Sequence, residues 1–245
     1  TGIGAPYCLH KVENLPGSSG GLVCRSFADG ESKILKPLFT GFKKQGHVLG
    51  KDFFYGKKPP EHWIDPLIPI IDWKRVISFP NGTTMQMISL HEEASANSNS
   101  FQWVYGPEAK YFNQKQLEGE IMPTLRGLYN EFGDSPWYMS QLWESDKYSP
   151  DIHWLLDKKK LHDEEKVSAV IFYQTKLNML RAQLLQVADS TADKIRAKMK
   201  AITKVLNIMR RNLVYYGEAN AYDNIQNIGQ QYLDNLRVSM TDYAY

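Results

Sequence analysis

The chain has 245 residues and a net charge of +2, and 42% of its residues are apolar and 23% charged. This length and composition predict a folded protein with a substantial core. The near balance of acidic and basic residues argues against a dedicated nucleic-acid-binding protein, since such domains are usually strongly basic. No apolar run reaches the ~20 residues that a membrane-spanning helix needs. The two cysteines form no CxxC pair, which excludes the common zinc-ribbon and thioredoxin motifs.

The first 66 residues carry Gly and Pro so often that we expect them to be mostly irregular. The same region holds many aromatic side chains between Phe39 and Trp63, which a disordered segment would rarely contain. We therefore expect an extended arm that lies on the second half of the chain or on a neighbouring subunit.

The strongest strand signal lies between residues 73 and 90. Asn81-Gly82 separates Val76–Phe79 from Thr84–Ile88, and this turn sequence between strand-like runs predicts a tight antiparallel hairpin. Phe101–Tyr105 could add a third strand. The sequence thus predicts a first domain, residues 1–106, that is loop-rich and aromatic-rich with a small β element.

Helical spacing dominates from residue 107 onward, and we expect residues 107–245 to form a helical domain. Residues 108–132 have apolar side chains near one face, and Ser135-Pro136 is expected to open a short helix that carries Leu142 and Trp143. Between Pro150 and Gly217 there is neither a glycine nor a proline. The predicted fold class is therefore α+β and predominantly helical, with a C-terminal helical hairpin or coiled-coil-like bundle.

Two sets of apolar residues in this domain step by three and four, the spacing of a seam that packs against another helix. The first set is Val170, Tyr173, Leu177, Leu180, Leu184 and Val187, and the second is Ile195, Met199, Ile202, Leu206, Met209, Leu213 and Tyr216. We predict that these residues form a helix-packing interface.

The joint between the two sets leaves two alternatives. Ser190 and Asp193 have capping-box spacing, which would start a new helix and allow the halves to fold back as a hairpin. Val187, Thr191 and Ile195 step by four, which would let one helix of ~50 residues continue as a rod of about 75 Å. The hairpin is favoured because each half then buries its seam against the other.

A basic stripe accompanies the second set. Arg196, Lys200, Lys204 and Arg211 fall near one side of the predicted helix. Such a stripe can neutralise the phosphates of RNA or lie on anionic lipid, and it can also be a solvated helix surface. We name these four residues as candidate polyanion contacts.

No pattern predicts catalysis, a cofactor or a metal. GxGxxG, GxxxxGK[ST] and HExxH are absent, and Ser18-Ser19-Gly20-Gly21 is interpreted as a turn because the upstream chain is too short to supply a protease His and Asp. Zinc prefers thiolate and imidazole ligands, and two cysteines and two histidines near the start of the chain could in principle supply them. Their spacing is unusual for a zinc site, so we interpret them as buried thiols and surface histidines. These residues are Cys8, His10, Cys24 and His47.

The sequence is therefore interpreted as a non-catalytic structural subunit of a large multi-subunit complex, bracing neighbouring protein subunits through long helices and the N-terminal arm. Six Trp and fourteen Tyr residues favour protein–protein interaction. The alternatives are an RNA-contacting protein of a ribonucleoprotein particle and a virion structural component. An intracellular, non-secreted protein is expected, and a mitochondrial accessory subunit is favoured because the chain begins at Thr1 without Met.

Overall fold

A computed structural model of the chain describes residues 2–92, 96, 99–146, 154–187, 189–220, 222–231 and 234. Six strands form one sheet: β1 (Ser19–Cys24), β2 (Phe54–Tyr55), β3 (Val76–Ser78), β4 (Thr84–Ser89), β5 (Trp103–Pro107) and β6 (Ser140–Glu144). Their order across the sheet is β2-β3-β4-β1-β5-β6. Strands β4, β1, β5 and β6 run parallel, whereas β3 is antiparallel to β4 and β2 to β3.

The described α-helices are α1 (Gly4–Asn14), α2 (Phe27–Asp29), α3 (Leu35–Lys44), α4 (Gln114–Gln116), α5 (Tyr129–Phe132), α6 (Trp154–Lys160), α7 (Glu164–Leu184), α8 (Asp189–Arg210) and α9 (Ile225–Ile228). Single π turns occur at Gly30–Ile34 and Leu117–Ile121, and 3₁₀ turns at Ala109–Tyr111, Met122–Thr124 and Tyr222–Asn224. The structure is thus an α/β fold with a mixed, mostly parallel sheet.

Strand β1 lies at the centre of the parallel strands, and all six of its residues are buried. It pairs with β4 on one side and β5 on the other, so both of its edges are hydrogen-bonded. Gly20 allows the ring of Trp103 to pack directly on the strand, because a Cβ atom at this position would lie 2.3 Å from that ring. Near-continuous burial of this kind is typical of a strand in a parallel sheet with both faces covered.

Helices α1 and α3 cover one face of the sheet. Helix α1 buries Ala5, Cys8, Leu9 and Val12, which follow helical spacing, and Pro6 lies in its first turn, where a missing N–H costs no hydrogen bond. The aromatic residues of this region pack beneath these helices: the rings of Phe42 and Phe53 are 5.2 Å apart and edge to face. These side chains form a core within the chain itself, and the expected arm on a neighbour is wrong.

The connection between β5 and β6 covers the opposite face. It consists of short helical turns between residues 109 and 132, and its buried residues include Ala109, Phe112, Leu117 and Ile121. Gly119 lies within one of these turns and Pro123 in the next, and the helical spacing of residues 108–132 is divided into short turns.

Helices α7 and α8 pack against each other and fold back rather than continue as one rod. The guanidinium of Arg210 in α8 donates a hydrogen bond to the Gln174 side chain in α7. In a straight helix these residues would lie about 54 Å apart. The same guanidinium stacks 4.5 Å from the ring centroid of Trp137, so the end of α8 also contacts the α/β part of the chain.

The predicted fold class is wrong. The chain is not predominantly helical with a small hairpin, because the Asn81-Gly82 turn joins only two strands of a six-stranded sheet. The Phe101–Tyr105 strand belongs to β5, which pairs with β1 rather than extending the hairpin. The boundary expected after residue 106 falls within β5, and β6 continues the same sheet. The helix expected after Pro136 is replaced by β6.

Within the described residues, no helix combines the length and apolar character that crossing a membrane requires.

Candidate functional site

The carboxyl ends of the parallel strands lie along one end of the sheet. From there the chain continues over one face of the sheet after β1 and over the opposite face after β5. After β1 the chain passes through α2 into α3, whose buried residues join the core cluster on the α1 face. After β5 the chain enters the turns that cover the other face. In open α/β sheets ligands bind in the crevice at such a switch point. The residues that directly follow β1 and β5 therefore lie where a ligand is expected.

Arg25 directly follows β1 and is exposed. Its Nε lies 3.5 Å from Nε2 of His91, which follows β4, and its guanidinium lies 5.8 Å from the ring centroid of Tyr111. Asp29, one helical turn away, is ion-paired with Lys33 at 2.6 Å. Among the described residues no carboxylate forms an ion pair with Arg25, although, after the hydrogen bond from Lys33, its charge also helps to lower the pKa of Asp29.

Lys110 approaches the same tyrosine from the chain segment after β5. Its Nζ lies 5.1 Å from the Tyr111 ring centroid and forms ion pairs with Asp146 at 3.3 Å and Glu108 at 3.6 Å. Partial burial lowers the pKa of Lys110, but the hydrogen bond and charge of Asp146 and the charge of Glu108 outweigh this and raise it. Lys110 is therefore held as a cation at the edge of the sheet.

The backbone of Glu108 is strained at this point. Its φ of 57° places a non-glycine residue in the left-handed region immediately after β5. Such conformations cost about 1–3 kcal/mol and concentrate at functional sites. The turn presents Lys110 and Tyr111 to the crevice, and the backbone N–H of Lys110 donates to Oγ of Ser145 after β6, which fixes the turn to the neighbouring strand.

A surface cavity of about 610 Å³ adjoins these residues. Its lining consists of Lys110, Tyr111, Phe112, Asn113, Gln114, Lys115 and Trp154. Tyr111 is 58% exposed, although it is a large aromatic residue next to a buried core. The indole N–H of Trp154 donates to the carbonyl of Phe112 at 3.1 Å, which anchors one wall of the cavity. The crevice thus combines a cavity that is wide open to solvent and lined by Lys110 and the accessible Tyr111 ring with the Arg25 guanidinium near that ring.

The residues predicted for helix packing lie on or next to the α7–α8 pair. Leu177, Ile195 and Leu206 are buried, and the other members are partly buried. Val187 lies between the two helices, while Leu213 and Tyr216 lie beyond the end of α8. They are far in sequence from the crevice and none of them lines its cavity.

The four candidate polyanion contacts are all exposed. Arg196 is paired with Asp193 at 2.8 Å and Arg211 with Asp134 at 3.7 Å, whereas Lys200 and Lys204 form no ion pair with the described residues. They are separate from Arg25 and Lys110 in sequence and in secondary structure.

Cys8 and Cys24 are buried free thiols on α1 and β1. Burial raises the pKa of both thiols, that of Cys24 to about 12. Groups of three or more His, Cys, Asp or Glu residues arranged to hold a metal ion do not occur in the part of the chain that the structure describes.

Sequence reasoning missed Arg25, Lys110 and Tyr111. Each is an ordinary residue type in a segment without a motif. The signal that could have found them is positional, because each follows a strand that is buried along its whole length.

Comparison with known proteins finds similarity at the level of structure. No protein-family model and no curated protein matches the chain. Among solved structures, it is similar to the large terminase of a thermophilic bacteriophage, with 10% sequence identity and a TM-score of 0.43. The similarity covers 64% of this chain and 34% of the terminase chain, so this chain spans about a third of that protein's length. A similarity at this level assigns neither a family nor a function.

The predicted role as a non-catalytic structural subunit is wrong, together with its alternatives of a ribonucleoprotein component and a virion structural component. That role required an irregular arm laid on neighbours and a body made of helices. Instead, the first part of the chain folds into an α/β domain with its own core.

Proposed function

We propose that the crevice at the carboxyl ends of β1 and β5 binds a nucleotide. The observation that carries this proposal is the approach of Arg25 and Lys110 to the same exposed Tyr111 ring, at 5.8 and 5.1 Å from its centroid. A nucleotide carries both phosphates, which cations bind, and a flat base, which can stack on an aromatic ring.

Arg25 supplies the strongest argument for the phosphate. A guanidinium presents donors in a planar fork that matches two oxygens of one phosphate. Arg25 is positioned by His91 and Tyr111 and lacks a carboxylate partner among the described residues, so a phosphate would displace no ion pair there. Lys110 is partly neutralised by Asp146 and Glu108 and would add a weaker, more screened attraction.

Tyr111 and the adjoining cavity support the base. Stacking of a base on an aromatic side chain contributes about 1–3 kcal/mol. The cavity of about 610 Å³ is lined on one side by this ring and on the other by Trp154. Lys115 gives the same cavity a further positive charge.

The test is titration of the purified chain with fluorescent N-methylanthraniloyl-ADP, followed by competition with unlabelled ADP, adenosine and pyrophosphate. Arg25→Gln removes the fork and should weaken binding at least about tenfold, since hydrogen bonds to charged groups contribute about 1.5–3 kcal/mol. Tyr111→Ser should weaken adenosine competition more than pyrophosphate competition. The matched control is Arg196→Gln, which removes the same charge from α8 and should leave binding unchanged.

Two results would overturn the proposal. One is absence of saturable binding by a wild-type chain whose folding is verified by circular dichroism. The other is an equal effect of Arg25→Gln and Arg196→Gln, which would indicate non-specific attraction.

The proposal concerns binding alone. The expectation that the chain is not an enzyme stays a prediction, as do contact with other protein subunits and a mitochondrial location. Polyanion contact through the basic side of α8 also stays a prediction, supported by the exposure of Lys200 and Lys204 and by the lack of ion-pair partners for them among the described residues.

A further inference from the structure

The two edges of the sheet are protected very differently. Strand β2 forms one edge, contains only two residues, and is followed by Gly56, two lysines and two prolines. The ammonium of Lys57 lies 4.5 Å from the ring centroid of Phe54 in this strand. Short length, lysine and proline are the devices by which natural sheets prevent another strand from pairing with their edge.

Strand β6 forms the other edge and has none of these devices. It has five residues without lysine, proline or glycine, and it pairs with β5 along its whole length. Among the described residues no strand pairs with its outer side. Four of its five side chains are partly buried and Gln141 is exposed, whereas every residue of β5 is buried. Its outer side is therefore open to a further strand, except that the N–H of Ser140 donates to the carbonyl of Trp137 at 3.4 Å.

Side chains of β6 hold this edge in its extended form. The carboxylate of Glu144 accepts a hydrogen bond from the Tyr105 hydroxyl at 2.8 Å. The hydroxyls of Ser140 and Tyr7 lie 3.2 Å apart. Both contacts attach β6 to residues of β5 and α1, so an incoming strand would meet an edge that is already ordered.

The sequence of β6 is complementary to itself in the antiparallel direction. When two copies pair about a two-fold axis at Leu142, the two Leu142 side chains face each other. Gln141 then lies opposite Trp143 of the partner subunit, and Ser140 lies opposite Glu144 of the partner subunit. Directly opposed cross-strand pairs interact, and like charges in such pairs destabilise a sheet. This register brings no like charges together and places an apolar pair at its centre.

We propose that β6 pairs with β6 of a second copy of this chain and joins the two six-stranded sheets into one. The interface is isologous, as a two-fold axis requires. An unrelated extended peptide would use the same backbone groups but would not depend on a Leu142–Leu142 pair. This difference makes the occupant testable.

The first test measures the dissociation constant of the dimer by sedimentation equilibrium. Leu142→Lys places two like charges on the axis and should raise this constant at least about tenfold, which corresponds to about 1.4 kcal/mol. The matched control is Gln141→Lys, which adds the same charge one residue away, opposite Trp143, and should change the constant less than about threefold. Mixing Leu142→Lys with Leu142→Glu should restore association, because opposite charges then face each other.

A second measurement does not depend on the folding of the Leu142 variants. A nitroxide attached to Gln141→Cys uses an exposed position, and the diagonal Cβ atoms of the two copies would be roughly 7–8 Å apart. Strong dipolar broadening of the spectrum is expected for this label and none for a label at Thr40→Cys, an exposed position on α3. A wild-type chain that stays monomeric at all concentrations, or a dimer that both lysine variants leave intact, would overturn the proposal, as would an unbroadened Gln141 label in a dimer.

Discussion

Lys11 is a buried cation whose removal should stabilise the protein. It lies on α1 with 2% of its surface exposed, and its Nζ lies 4.6 Å from the ring centroids of both Tyr7 and Trp137. Among the described residues no carboxylate forms an ion pair with it. Burial, with a smaller contribution from the nearby Arg210 charge, lowers the pKa of Lys11 to about 8. Replacement by Met keeps the length of the side chain and removes the charge.

The size of the effect follows from the two pKa values. The pKa of Lys11 falls from an ordinary value of 10.5 to about 8 in the folded state. Each pKa unit corresponds to about 1.4 kcal/mol, so keeping Lys11 charged costs the folded state about 3 kcal/mol. The two aromatic faces offset part of this cost, at about 0.5–2 kcal/mol each. We therefore expect Lys11→Met to raise the free energy of unfolding at pH 7 by about 1–3 kcal/mol.

The lowered pKa of Lys11 also determines how its effect on stability changes with pH. Because the folded pKa is the lower one, the unfolded chain binds more protons between pH 8 and 10.5. The stability contribution of Lys11 therefore rises as the pH rises through this window, and its full cost is present below pH 8. The advantage of Lys11→Met should accordingly shrink from pH 7 to pH 10.

Urea denaturation of both proteins at pH 7 and pH 10 measures this advantage as a difference. The difference is needed because burial raises the pKa of Cys24 to about 12, so unfolding becomes easier at alkaline pH in both proteins alike. Lys36→Met, at an exposed position of α3, is the control and should show no such pH dependence. A variant that is less stable than wild type at pH 7, with a gap that does not vary with pH, would refute the reasoning.

Two further outcomes are expected. Gly20→Ala should lower the free energy of unfolding by about 1–3 kcal/mol, because its Cβ would meet the buried Trp103 ring at 2.3 Å. Gly119→Ala is the control and should not lower it, because no heavy atom lies within 4 Å of the added Cβ. Thermal denaturation compares the two variants, and equal losses of stability would contradict the packing argument. If α8 binds polyanions, Lys200→Glu combined with Lys204→Glu should abolish retention of the protein on a heparin column. The control is Lys33→Glu with Lys36→Glu, which makes the same charge change on the α/β part and should leave retention intact. An equal effect of both pairs would show that retention reflects net charge alone.

The helices of the second half were partly predictable because their apolar periodicity is long and uninterrupted. Leu177 on α7 and Leu206 on α8 are both buried, and the helix-packing role of the two apolar sets stays a prediction. Helix α1 carries the same kind of signal in Ala5, Cys8, Leu9 and Val12. It was missed because Pro6 was counted as a helix breaker, although proline in a first turn is compatible with a helix.

The sheet and the crevice were not predictable in this way. Strand β6 shows no apolar alternation in Ser140–Glu144, and its pairing with β5 decides its conformation. Arg25 and Lys110 are far apart in sequence and approach the same ring only because β1 and β5 are parallel neighbours. No local sequence pattern indicates that β1 and β5 are neighbours. The site therefore depends on a long-range strand pairing that cannot be recognised from the sequence.

The central position of β1 has a consequence for biosynthesis. Its partners begin at Thr84 and Trp103, so the ribosome must deliver most of the domain before the innermost strand can acquire both neighbours. Closing such long loops slows folding. A nascent chain stalled ahead of Trp103 would hold β1, all of whose residues are buried in the folded chain, with one open flank, and we expect this intermediate to be the species that chaperones engage.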